Sequence, residues 1–208
     1  MYKKIMDNFI NILSENYEII KIKYSRETDL EYSFIINEIN SGKDLKTLQN
    51  RLVTFYKIRL PKEQTTKLLN LVELNKNEIK NTQNIIEVFK MYYKKFMEIT
   101  GRSEVSFTSK LLNLYNKKVP LYDSRVIKYL NNLGLPDENI DLNRYESLFN
   151  IYKHFMENEY MKNLLQKLKM DVYYGKNIKY IDENKIFDTL MYSIGDIKGL
   201  EKLKIIIE

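Results

Sequence analysis

Cysteine, tryptophan and alanine are absent from the 208-residue chain, histidine occurs once, and there are only six glycines and three prolines. Without cysteine there is no disulfide, no thiolate nucleophile and no Cys-ligated zinc or iron–sulfur site. A lone histidine, His154, leaves a Ser-His-Asp triad one possible base and excludes a metal site built from several histidines. A carboxylate metal site stays open on composition, but no motif calls for a cofactor, and none is expected. Long apolar runs are lacking too, and nothing approaches the ~20 residues that span a bilayer. Asp7 and Asn8 interrupt what would be the apolar heart of a signal peptide, so a cytoplasmic protein without membrane partners is expected.

Charge is abundant. Lysine and arginine number 34 against 28 acidic residues, giving a net charge of +6 and a pI near 9.1. A basic balance favours polyanionic partners, although a solvated basic surface gives the same number. The length fits one domain with a substantial core.

Scarce helix breakers and 3.6-residue apolar periodicity predict an all-helical chain. Ile5, Phe9, Ile12 and Leu13 mark a first helix. Ser25 should cap a second, with Leu30, Phe34, Ile35 and Ile39 facing the core, and Ser41-Gly42 should end it. Asp44 should cap a third carrying Leu45, Leu48, Leu52 and Tyr56, stopped before Pro61. A fourth should start near Lys62 with Leu68, Leu69 and Leu71. One helix is expected from about Asn77 to Thr100, with Ile85, Phe89, Tyr92 and Phe96 in register and Gly101 as its terminating glycine. A shorter one should run from Ser106 to Asn116. Asp123 should cap the next, to about Leu133, bounded by Gly134 and Pro136. Two or three more should follow Leu142, broken near Gly175 and Gly195.

The densest basic segment is Gly101 to Leu130, with Arg102, Lys110, Lys117, Lys118, Arg125 and Lys128 against Glu104 and Asp123. A helix, a loop and a second helix of this charge can present basic side chains and backbone N–H groups to phosphates. Within it, Ser109-Lys110-Leu111-Leu112-Asn113-Leu114-Tyr115-Asn116 followed by Val119-Pro120-Leu121-Tyr122-Asp123-Ser124-Arg125-Val126 resembles the middle of the helix-hairpin-helix DNA glycosylases, most of all the 8-oxoguanine DNA glycosylase fold. Lys185 to Gly195 is similar to the C-terminal helix of such enzymes. The hairpin stretch Gly101-Arg102-Ser103-Glu104-Val105-Ser106 keeps one glycine, and Glu104, Val105 and Ser106 stand near the position of the lysine of bifunctional members.

The resemblance implies a single helical domain over residues 1–208, with a hairpin core at about 85–133 and two lobes. It implies a protein that binds duplex DNA, flips a damaged or modified base and cleaves its N-glycosidic bond. Asp123 would stabilise the oxocarbenium-like sugar or orient water, and Lys110 would be the amine if a Schiff base forms. Arg102, Ser103, Lys117, Lys118 and Arg125 would contact the DNA backbone, and Tyr122, Asp188 and Tyr192 would line the base pocket. Read from the residues alone, Asp123 is a helix cap, Lys110 a surface lysine, Arg125 a phosphate contact or an ion-pair partner, Asp188 a cap or salt-bridge residue and His154 a packed core histidine. The alternatives are a non-catalytic DNA-binding protein of the same fold or a helical protein-interaction module.

Overall fold

The computed structural model describes residues 2–135, 141–174 and 180–195. Among these residues all regular structure is helical, in eleven α-helices and without a strand. No helix among them is long and apolar enough to cross a membrane. The chain divides into two compact units, one formed by Met1–Leu30 with Asp123–Glu208 and the other by Glu31–Tyr122. The stretch 85–133 therefore crosses from one unit to the other between Tyr122 and Asp123.

The first unit holds α1 (Tyr2–Lys23), the start of α2 (Arg26–Asn40), α8 (Ser124–Asn132), α9 (Asp141–Glu157), α10 (Glu159–Val172) and α11 (Glu183–Gly195). Ile5, Phe9, Ile12 and Leu13 recur at helical spacing and are all buried on α1. Phe9 is the hub. Its ring lies 6.2 Å from Tyr129 of α8, 5.2 Å from Phe155 of α9 and 5.8 Å from Phe187 of α11. Each such side chain contributes about 1.5–3 kcal/mol by leaving water. Gly134 follows α8 at φ +104, a conformation that glycine adopts without strain, and Gly195 is the last residue of α11. The breaks expected at Pro136 and Gly175 lie outside the described residues.

The stripe expected on α2 is rotated. Ile35 is buried as expected and Ile39 is half-buried, but Leu30 and Phe34 are exposed, and Asp29, Tyr32 and Ile36 are buried in their place. Asp29 shares a face with Tyr32 and Ile36 and can go inside because hydroxyl donors meet its carboxylate.

The second unit continues α2 and adds α3 (Gln49–Tyr56), α4 (Lys62–Leu74), α5 (Lys76–Asn81), α6 (Ile85–Thr100) and α7 (Val105–Asn113). Asp44 takes the Thr47 N–H at 2.6 Å within a turn, and α3 proper begins only at Gln49. Leu45, Leu48, Leu52 and Tyr56 are buried as expected. The single helix expected from Asn77 to Thr100 is two helices. Thr82 is extended at φ −64, ψ 138, and Asn84 caps α6 by accepting the Glu87 N–H. Gly101 ends α6 in the left-handed region at φ +73.

α7 ends at Asn113, three residues before the expected Asn116. Two buried asparagines hold the chain that follows. Asn113 accepts from the Tyr32 hydroxyl at 2.9 Å and donates to the Val119 carbonyl at 2.7 Å. Asn116 donates to the Ile79 carbonyl at 2.9 Å. Ser109 Oγ then accepts the Tyr122 N–H at 2.9 Å, which fixes the backbone entering Asp123.

Candidate functional site

Asp123 is the N-cap of α8, with extended dihedrals of φ −127 and ψ 135. Its Oδ1 accepts the Arg125 N–H at 2.9 Å, and the residue is half-buried. The cap satisfies one of the orphan N–H groups of the helix start, and the aligned peptide dipoles favour a negative charge there. Among the described residues the cap is the one hydrogen bond that the carboxylate accepts, so its second oxygen is not committed to the fold.

Arg125 is exposed and rests on Tyr192 of α11. Its Nη1 donates to the Tyr192 hydroxyl at 2.8 Å, and its guanidinium carbon is 4.8 Å from the ring centroid. Tyr192 stands one helical turn after Asp188, on the same face of α11. The Arg125 contact thus brings the start of α8 against the face that carries Asp188.

Asp188 is buried and belongs to a polar cluster inside the first unit. Lys185, one turn earlier on α11, donates to Asp188 Oδ2 at 3.0 Å, and its Nζ is 3.9 Å from Asp29 Oδ1. The Tyr152 hydroxyl of α9 reaches Asp188 Oδ1 at 3.4 Å. Asp29 is fully buried and accepts from Tyr24 at 2.6 Å, Tyr173 at 2.5 Å and Thr189 at 2.5 Å. Burial raises the Asp188 carboxyl above its ordinary value, Lys185 opposes this, and the charges of Asp123 and Asp29 add to the rise. Burial, with Asp188 beside it, pushes the Tyr152 phenol far above its usual range. Burial, with Asp29, does the same to Tyr24 and Tyr173. Lys185 occupies the place between the carboxylates where a cation would sit. Among the described residues no three metal-ligating side chains come together.

The remaining site residues proposed from the sequence belong to the second unit. Arg102 is exposed, pairs with Glu104 at 2.5 Å and donates to the Arg59 carbonyl at 3.3 Å. Ser103 Oγ bonds the Tyr93 hydroxyl at 3.2 Å. The Lys110 ammonium lies 5.7 Å from the Tyr56 ring centroid, and Lys117 lies 5.1 Å from that of Tyr32. Lys118 is exposed and donates to Gln83 at 3.2 Å. Tyr122 is half-buried and held through its N–H by Ser109. In the first unit the structure brings together Asp123, Arg125, Asp188 and Tyr192.

The chain matches no protein-family model, no curated protein and no solved structure. Sequence reasoning missed Asp29, Lys185, Tyr24, Tyr152, Tyr173 and Thr189 as members of the polar cluster. One signal was present. Asp29 sits three residues before Tyr32 and seven before Ile36, on a stripe that would otherwise be apolar.

Proposed function

We propose that this chain is a DNA glycosylase-like protein that binds duplex DNA and cleaves the N-glycosidic bond of a damaged or modified base through Asp123. One observation carries the reading. A half-buried carboxylate caps α8 with one oxygen and, among the described residues, accepts no second hydrogen bond, beside an arginine stacked on a tyrosine. Such a carboxylate can stabilise the positive charge that develops on a sugar as its base departs. Arg125 supplies a charge for phosphate, and Arg102, Ser103, Lys117 and Lys118 supply further polar contacts.

The second reading is DNA binding without catalysis. It is favoured by Glu104, Val105 and Ser106 near the hairpin lysine position and by the packing of Lys110 over Tyr56. Base release from a panel of duplexes, each carrying one damaged or modified base, separates the two. Excision from at least one duplex is the expected result. A folded, DNA-binding protein that excises none establishes the second reading. Borohydride trapping with the parent and with Lys110→Ala then distinguishes an amine-dependent mechanism from a hydrolytic one.

The binding step has its own test. Affinity for duplex DNA should fall as salt rises, because each phosphate contact releases counterions. Changing Lys117 and Lys118 together to alanine should weaken binding and flatten the log–log salt slope by about 1–2 units. Affinity indifferent to salt, or no binding at low salt, removes both DNA readings and leaves the helical interaction module.

A further inference from the structure

Among its described residues the first unit buries two aspartates, Asp29 and Asp188, against one lysine, Lys185. Asp29 and Asp188 share Lys185, and Asp123 stands against the same face of α11. Two buried carboxylates, Asp29 and Asp188, thus share one ammonium, where burial makes uncompensated charge costly. The three aspartates are not equivalent. Asp29 holds three hydroxyl donors in addition to Lys185, and Asp123 has the Arg125 N–H and the positive end of α8. Asp188 has Lys185 and the long Tyr152 contact at 3.4 Å. Of the two that share Lys185, Asp188 has the fewer hydroxyl donors, and it is mostly shielded from water.

We propose that Asp188 is a proton-linked switch beneath Asp123, neutral when protonated and a second negative charge behind the candidate site when ionised. Among the described residues the groups that act on it come from four elements and two flanking positions. Lys185 acts from α11 itself, Asp29 from α2, Asp123 from the start of α8 and Tyr152 from α9. Tyr173, after α10, and Tyr24, before α2, act through Asp29. The direction of its titration agrees with this geometry, since burial, Asp123 and Asp29 raise the Asp188 carboxyl and Lys185 lowers it.

The consequence for function rests on reading Asp123 as the working carboxylate and Arg125 as a phosphate contact. With Asp188 protonated, the positive surface at Arg125 is opposed by one carboxylate fewer. DNA affinity should then rise as pH falls through the titration of Asp188.

The test follows the aspartate carboxyl carbons by NMR across pH in the full chain. In the parent, Asp188 should titrate above the range of the exposed aspartates. In Asp123→Asn its midpoint should shift down, because a neighbouring negative charge is gone, and in Lys185→Met it should shift up. A midpoint in the ordinary aspartate range, or one that Asp123→Asn leaves in place, overturns the proposal. Asp188→Asn should in addition flatten the pH dependence of DNA affinity, and an unflattened profile rejects the link to binding. Where a variant fails to fold, parent and Asp188→Asn spectra still assign the Asp188 resonance and place its midpoint. None of the carboxyl titrations depends on base excision. A protein that excises no base can still show the switch, and an excising one can lack it.

Discussion

Asp29→Ala should lower the unfolding free energy by about 3–5 kcal/mol, read by urea denaturation at neutral pH. Asp29 is fully buried and accepts three hydroxyl hydrogen bonds, with the Lys185 ammonium 3.9 Å away. Alanine leaves Tyr24, Tyr173 and Thr189 with buried donors facing a void, and each unsatisfied group costs about 1–3 kcal/mol. These losses share one cavity and do not add in full. Asp29→Asn keeps the shape and an acceptor oxygen, so it should cost less than the alanine change. A loss below about 1 kcal/mol for Asp29→Ala would show that water replaces the carboxylate.

Lys185→Met acts in the same cluster through Asp188, and its penalty depends on pH. Asp188 has a folded-state pKa raised above its ordinary 3.8 by burial, with Lys185 holding it down. A raised carboxyl contributes stability that is complete below the unfolded value and is lost as pH rises through the folded value. Removing Lys185 raises the folded value further. The variant should therefore lie closer to the parent in acid and fall further below it toward neutral pH.

Much of the helical layout can be read from spacing alone. The α1 stripe, the glycine at the end of α6 and the aspartate at the start of α8 are local signals, each confined to one or two turns. The break between α5 and α6 escapes such a reading because Asn81-Thr82-Gln83-Asn84 contains neither glycine nor proline. It is made by side chains instead. Thr82 Oγ1 accepts the Asn84 N–H, and Asn116 reaches the carbonyls of Ile79 and Thr82. The polar cluster is less legible still. Asp29 meets Tyr173 and Thr189 across 144 and 160 residues of sequence, and no periodicity records such a pairing. An aspartate on α2 reads as a surface residue until its hydroxyl donors are known, so spacing alone puts Leu30 and Phe34 on the stripe with Ile35 and Ile39. Asp123 was accessible from the sequence because a cap is a local interaction. What surrounds it was not.

On the glycosylase reading proposed above, Asp123→Asn should reduce base release by a factor on the order of 10²–10³ or more while leaving the fold nearly unchanged. Asparagine caps a helix about as well as aspartate, because its side-chain oxygen accepts the same backbone N–H. Two smaller electrostatic effects oppose each other. Loss of the charge forfeits about 0.3–1 kcal/mol with the helix dipole, and it relieves repulsion with Asp188. Stability should therefore stay within about 0.5 kcal/mol of the parent. Asp123→Ala removes the cap as well and should cost about 1 kcal/mol in addition to the lost activity. The two variants divide the residue's roles. Equal loss of base release in both, with only alanine destabilised, assigns the chemistry to the carboxylate charge and the fold to the cap. Full base release by the asparagine variant would leave Asp123 as a capping residue alone, and a carboxylate other than Asp123 would then have to meet the developing sugar cation.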